Sequence, residues 1–295
     1  MAVPSTSPTF NLRLRRRRVA GVVVTSLLFL STLLGILVLV ILIVDVAVTG
    51  LPWISAEFLS GFPGAAAERS GIYPAIIGSL YLMLLTGAFA IPMGVGTAVW
   101  LEEYAPRGWF TGLIQININN LAGIPSVVYG ILGLAVFVYL LQLGNSLLAA
   151  ALTLALLVLP IIVISSQEAI RAIPSGIRES AFALGATRSQ VIFSHLMPIA
   201  LPGIMTGIIL ALSRAVGETA PLVLIGASLA IHFTPAHLLD DFTAIPMLIF
   251  SWTEEPGADF RALAAAAIIV LMVFLLAMNL SAILLRDHFE KNRPQ

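Results

Sequence analysis

The sequence predicts an all-α integral membrane protein with six transmembrane helices. Three observations carry that prediction. Of 295 residues, 59% are hydrophobic and only 10% charged, whereas a soluble domain carries about 25% charged residues; so few polar groups leave a water-facing exterior uncovered. The apolar residues gather into six runs, each near the ~20 residues that a helix needs to cross a bilayer core. The basic residues fall almost entirely on one side of that layout, as expected for the cytoplasmic side of a membrane protein.

The first run, 19–46, follows the basic stretch "NLRLRRRRVA". That order resembles a secretory leader. The apolar stretch Val19 to Val44 is longer than the ~7–15 residues of a leader's core and no A-x-A site follows closely, so a retained first span is expected. Residues 49–71, with Pro52 and Pro63, read as a loop. The second span is 72–100. The third, 115–141, begins with the polar "QININN" and holds Gly123 and Pro125, which predict a kink. The fourth is 145–165. A polar segment, 166–196, precedes the fifth span, 197–229, which is expected to kink or end near Pro221. Residues 230–258, with Pro235, Pro246 and Pro256, read as another loop, and 259–285 as the sixth span. This divides the chain into a basic tail (1–18), a transmembrane domain (19–285, with the polar segment inside it) and a short C-terminal tail (286–295).

With the N-terminus inside, twelve Lys and Arg are cytoplasmic, only Arg69 and Arg261 are outside, and Arg214 lies within a span. Six spans return the C-terminus to the cytoplasm.

Several functions are argued against. There is no cysteine, hence no disulfide, thiolate metal site or cysteine nucleophile. A net charge of zero gives no footprint for nucleic acid. No cofactor, metal or catalytic residue is indicated. His232, His237, Asp240 and Asp241 in "HFTPAHLLDD" are irregularly spaced and read as a solvated loop rather than a metal site. His195 and His288 read as interfacial. An intramembrane enzyme needs a convergent nucleophile, base or metal set, and a secondary transporter needs carboxylates within its spans for ion coupling; neither pattern stands out. The only lysine is Lys291, followed by Asn292, so the chain lacks the lysine of a nucleotide-binding P-loop.

The polar segment has a readable grammar. Pro174 ends one helical piece, with Ser175 and Gly176 suited to a turn or N-cap. "IRESAFAL" makes a short helix with Ile177, Ala181 and Leu184 on one face and Phe182 beside them. Gly185 suits the left-handed residue that stops it. Thr187 and Gln190 form a capping-box pattern that starts the next helix. A rigid helix with an apolar face between two turns is either a docking element or a connector lying on the lipid surface.

Glu179-Ser180-Ala181, Gly185 six residues after the glutamate, and "HLMP" ending at Pro198 resemble the EAA loop of ABC-importer permeases, with departures at Ser180, His195 and Met197. "LAGIPSVVYGILGLAVF", "GIILALSRAVGETAPL", "FTAIPMLIFSW" and "RALAAAAIIVLMVFLLAMN" resemble, over about residues 70 to 285, the A-type permease subunits of bacterial phosphate-specific transporters. The paired C-type subunits share similar motifs. The resemblance implies a type I ABC-importer permease fold in the bacterial inner membrane. It implies two cytoplasmic ATPase subunits, a second and homologous permease, a periplasmic or extracellular phosphate-binding protein, and phosphate as substrate. The expected ATPase-coupling residues are Arg178, Glu179, Ala181, Phe182, Leu184 and Gly185. Another small oxyanion, or an ATP-independent secondary transporter, is the alternative.

Arg214 and Glu218 stand in "SRAVGET", four residues apart, on one face if the helix is continuous. Arg214 is sixteen residues beyond Pro198, roughly 24 Å along a helix at 1.5 Å per residue, deep in the span. The expected substrate path passes Arg214, Glu218 and Thr219; the alternative is a pair that only satisfies itself between packed helices. Asn117, Asn119 and Asn120 are weaker pore candidates. Glu102 and Glu103 are expected to meet a partner or the neighbouring polar loop, or else solvent.

Overall fold

The structure, a computed structural model, describes the backbone of residues 8–227, 231 and 233–291, and the side chains of 17–227, 231 and 233–287. Among the described residues the regular elements are helices, with one isolated bridge between Ser146 and Asp241. Helix α1, Pro8–Gly50, is exposed on all sides from residue 17 to 45. It meets the rest of the chain at its far end, where a Cβ on Gly50 would lie 2.6 Å from the Ala265 backbone. After α1 ends at Gly50, the 49–71 segment holds short 3-10 turns at Leu51–Trp53 and Ala67–Arg69 and, between them, a turn of helix at Ala56–Ser60 capped by Ser55.

Helix α2, Tyr73–Val99, runs into a wider π-helical turn, Trp100–Tyr104. The predicted third span is two helices. Helix α3, Trp109–Ala122, and helix α4, Ser126–Gly133, extended by a π-helical stretch Leu134–Leu140, meet at 107°. The expected kink is thus a full break. Pro125 lacks an N–H and pushes Ile124 out of the α region, so the helix stops at Gly123 and restarts in a new direction. Five described helices are long and apolar enough to cross a membrane, and the bent pair makes the sixth when counted as one span.

Helix α5, Leu147–Arg171, is the centre of the bundle and the most buried of the spans. It packs against α2 at Gly94, where a Cβ would lie 2.6 Å from Ile162 Cγ2. Small residues at such crossings let backbones close together where no hydrophobic drive separates helix from lipid. The predicted loop 230–258 does real capping: Leu147 and Leu148 N–H donate to the Asp240 and Leu238 carbonyls, satisfying donors that the start of α5 leaves unpaired. The Asp240 carboxylate accepts the Ala236 and His237 N–H groups at 2.8 Å each, and these bonds hold its carboxyl below the usual carboxylate range. Asp240 is thus a turn-former; His232 lies outside the described residues.

Helix α6, Ser175–Ala183, is the short helix of the polar segment. Helix α7, Met197–Val216, follows a helical turn and a π-helical stretch, Val191–Leu196. The predicted fifth span ends at Val216; residues 217–219 break it, and helix α8, Ala220–Ile225, begins with Pro221 in its first turn, where a missing N–H costs nothing. Helix α9, Ile245–Glu254, corrects the reading of 230–258 as wholly loop. Pro246 stands at its start rather than interrupting it, and Ile245, Met247, Leu248 and Trp252 are buried against α10 and α2. Helix α10, Ala258–Lys291, is the last described element.

Candidate functional site

Two places in this bundle carry chemistry. One is the end bearing Arg107, Arg171, Arg178 and Arg188, called here the basic end. The other is a break in α7–α8, one span-length away.

At the basic end, α6 is closed by a Schellman turn. Ala186 N–H donates to the Ala181 carbonyl at 3.1 Å and Gly185 N–H to the Phe182 carbonyl at 2.9 Å, with Gly185 at φ +82°, as a left-handed C′ residue requires. The capping box on Thr187 and Gln190 is present. Ser175 is the first helical residue rather than the cap; Pro174 occupies the cap position. The predicted apolar face splits. Ala181 is buried and Ile177 packs on the core, whereas Leu184 is 90% and Phe182 48% exposed. The reason is geometric: Leu184 lies past the last helical residue, at φ −81° and ψ 3°, and swings away from the Ile177–Ala181 stripe. Ala181 therefore belongs to the chain's own interior, and the outward apolar tip is Phe182 with Leu184. Glu179 is exposed.

Arg178 also faces inward. Its Nε and Nη2 donate to Glu103 Oε1 at 3.0 and 2.9 Å. Nη1 donates to the Ile173 carbonyl and Nη2 to the Ile170 carbonyl, both at 3.1 Å. One guanidinium thus ties α6 to the end of α5 and to the π-helical turn after α2. The adjacent Glu102 takes Arg171 at 2.6 Å and Gln167 Nε2 at 2.9 Å, and Gln167 exchanges two amide bonds with Gln115. Glu102 and Glu103 therefore meet the neighbouring polar loop. A cleft of 590 Å³ opens among Glu102, Glu103, Arg107, Arg178, Phe182 and Arg188.

Gly185→Val is expected to insert normally but to disrupt the turn after α6. No atom lies within 4 Å of a Cβ placed there, so the whole penalty is the left-handed backbone, about 1–2 kcal/mol and worst for a β-branched residue. Gly185→Asn, which tolerates that region, should keep the turn. Limited proteolysis at this turn in the two membrane-inserted variants checks this; equal cleavage of Val and Asn contradicts it.

At the second place, Arg214 and Glu218 pair as predicted, Nε to Oε1 at 3.3 Å, but not along a continuous helix. Arg214 lies in the last turn of α7, where a cation meets the negative end of the helix dipole; Glu218 lies beyond its end. Its N–H donates to the Ala215 carbonyl and Gly217 N–H to that of Arg214. Thr219, half-buried, is the cap position of α8, and its carbonyl accepts Val223 N–H at 3.0 Å. The Arg214 side chain is 48% exposed and that of Glu218 17%.

Sequence reading alone missed what faces this break: the other broken span. A Cβ on Gly130 of α4 would lie 2.8 Å from Pro221 Cα and from Leu224 Cδ1, so α4 and α8 are in close contact. Tyr129 OH donates to the Leu121 carbonyl at 2.8 Å, tying α4 back across the Gly123–Pro125 break. The stretches "GIPSVVYG" and "RAVGETAP" thus pack on each other. Non-helical backbone at membrane depth survives only inside protein or along a watered cavity, and paired discontinuous helices are where membrane transporters hold ions and small solutes. Of the asparagines, Asn119 accepts Gln115 Nε2 at 3.2 Å on one stripe with Thr111, while Asn117 bonds its own helix at the Leu113 carbonyl. The signal for Gln115 and Gln167 was their polarity within apolar runs.

Comparison with known proteins agrees with this geometry. Residues 90–293 match the family described as "Binding-protein-dependent transport system inner membrane component". The chain is 34% identical over 279 residues to "Phosphate transport system permease protein PstA 1" of Mycobacterium tuberculosis, covering 92% of this chain and 90% of that protein. It is 32% identical over 248 residues to "Probable phosphate transport system permease protein PstA" of Methanocaldococcus jannaschii, covering 84% and 86%. Its fold matches a chain of a crystallised bacterial ABC transporter involved in alginate import, at a TM-score of 0.67 and 18% identity, covering 94% of this chain and 99% of that one. The family match over residues 90–293 spans more than half of the sequence, and the chain belongs to the family of binding-protein-dependent transport system inner membrane components.

Proposed function

We propose that this chain is a permease subunit of an ATP-driven importer of inorganic phosphate. The observation that carries the reading is the half-exposed Arg214 guanidinium at the junction of two broken spans. A guanidinium presents fixed N–H donors to an oxyanion, and its pairing with Glu218 keeps that site from holding an anion too tightly to release. Phosphate is the substrate because the relatives at 32–34% identity bear phosphate-transport names; the Arg214 site itself supplies oxyanion chemistry.

In this reading Phe182 and Leu184 dock on one of two cytoplasmic ATPase subunits, with Glu179 and Gly185 shaping the approach, while Arg178 and Ala181 hold α6 on the bundle. A second, homologous permease completes the path, and a periplasmic or extracellular binding protein delivers the anion. Both termini are cytoplasmic. Single cysteines at Ala66 and Ala236, both exposed, should then react with an impermeant reagent added outside intact cells; protection of both sites reverses the orientation.

The function is tested in a strain lacking this chain. High-affinity phosphate uptake should fall to the level of its remaining carriers, with sulfate and molybdate uptake unchanged. Loss of sulfate or molybdate uptake instead reassigns the oxyanion.

A further inference from the structure

Helix α10 carries a polar residue that neither the basic end nor the Arg214 turn uses. Asn279 sits in the otherwise apolar stretch "FLLAMNLSAILL", and polar side chains within spans face other helices or a path rather than lipid. Ser213 Oγ, with one proton to share, lies 2.6 Å from both Asn279 Oδ1 and the Ile209 carbonyl of its own helix. Nearer the basic end, Arg286 Nη1 donates to Thr206 Oγ1 at 3.3 Å. The two contacts share one antiparallel register, for seven residues separate Thr206 from Ser213 and seven separate Asn279 from Arg286. Seven residues are about two helical turns, so both contacts fall on the same face of each helix. A polar seam joins α7 to α10, and its inner tie lies one residue before Arg214.

That position has a consequence for Arg214. Neighbouring residues on a helix are held about 100° apart, so fixing the azimuth of Ser213 fixes that of Arg214. Leu271, Phe274, Leu275 and Met278 of α10 pack on the core as apolar side chains. Apolar surfaces are non-directional and tolerate rotation; a short hydrogen bond does not.

We propose that Asn279 is a positioning residue for the translocation path: through Ser213 it sets the rotation of the last turn of α7 and so the direction of the Arg214 guanidinium. The proposal rests on the reading of Arg214 as an oxyanion contact.

The test uses the assembled transporter in liposomes, counting phosphate moved and ATP hydrolysed. Asn279→Leu and the milder Ser213→Ala should each assemble, keep ATP hydrolysis, and lower phosphate moved per ATP roughly three- to tenfold, the scale of one interhelical hydrogen bond in a membrane. Because both remove the same bond, the double variant should be no worse than either single one. The exchange Ser213→Asn with Asn279→Ser should restore the ratio. An unchanged ratio in the single variants overturns the proposal, as do additive losses or transport and hydrolysis falling in proportion. Arg214→Met with Glu218→Gln, measured alongside, separates the two layers. Normal transport by that pair defeats the oxyanion reading, whereas its failure beside a normal Asn279→Leu defeats only the positioning role.

Discussion

Arg214→Met combined with Glu218→Gln is expected to leave the protein inserted and assembled yet lower phosphate uptake roughly ten- to a hundredfold. The magnitude follows from losing charge-assisted hydrogen bonds to the anion of about 1.5–3 kcal/mol, since each 1.36 kcal/mol is tenfold in rate. The structural cost is small, because removing both members of a pair and keeping their volume is often near neutral. Arg214 is also 48% exposed and stands in the last turn of its helix, so little packing is lost. Arg214→Met alone should be worse for assembly, since it leaves the Glu218 carboxylate, 17% exposed, without its cation. Uptake of labelled phosphate, normalised to the chain present in the membrane, measures this. An unmodified rate in the double variant makes the pair scaffolding.

Arg178→Glu should abolish transport, and combining it with Glu103→Arg should recover a large part. Arg178 is 24% exposed and Glu103 12%, and breaking one partner of such a sheltered pair costs about 3 kcal/mol, the low end for buried pairs. The guanidinium also serves the Ile170 and Ile173 carbonyls at the end of α5. The charge exchange returns the attraction but not those carbonyl bonds, so recovery should be partial. The useful readout is ATP hydrolysis stimulated by the binding protein. The single variant should assemble poorly or hydrolyse without stimulation, because α6 is no longer held to α2 and α5. Full stimulation in Arg178→Glu contradicts the view that Arg178 holds α6 on the bundle.

Much of the molecule was legible in the sequence because its strongest signals are local. Six apolar runs give the spans, and a glycine at φ +82° and a Thr–Gln capping box mark the turns around α6. The breaks beside Pro125 and a few residues before Pro221 were legible as interruptions, since proline cannot continue a helix that precedes it. Their consequence was not: that Gly130 brings α4 onto Pro221 is a contact between residues about ninety positions apart, which no local pattern records. The same limit explains the outward face of α6. Periodicity grouped Ile177, Ala181 and Leu184, but the helix ends before Leu184, so that residue turns to solvent while Ala181 stays inside. Helix α9 was missed because Pro246 reads as a breaker until its place in the first turn is seen.

Labelled phosphate counted inside liposomes that hold the purified complex decides most directly whether this chain is the permease of an ATP-driven phosphate importer. With ATP trapped in the lumen and the binding protein outside, phosphate should accumulate, and omission of either should stop it. Accumulation without ATP, or of sulfate in place of phosphate, would contradict that function.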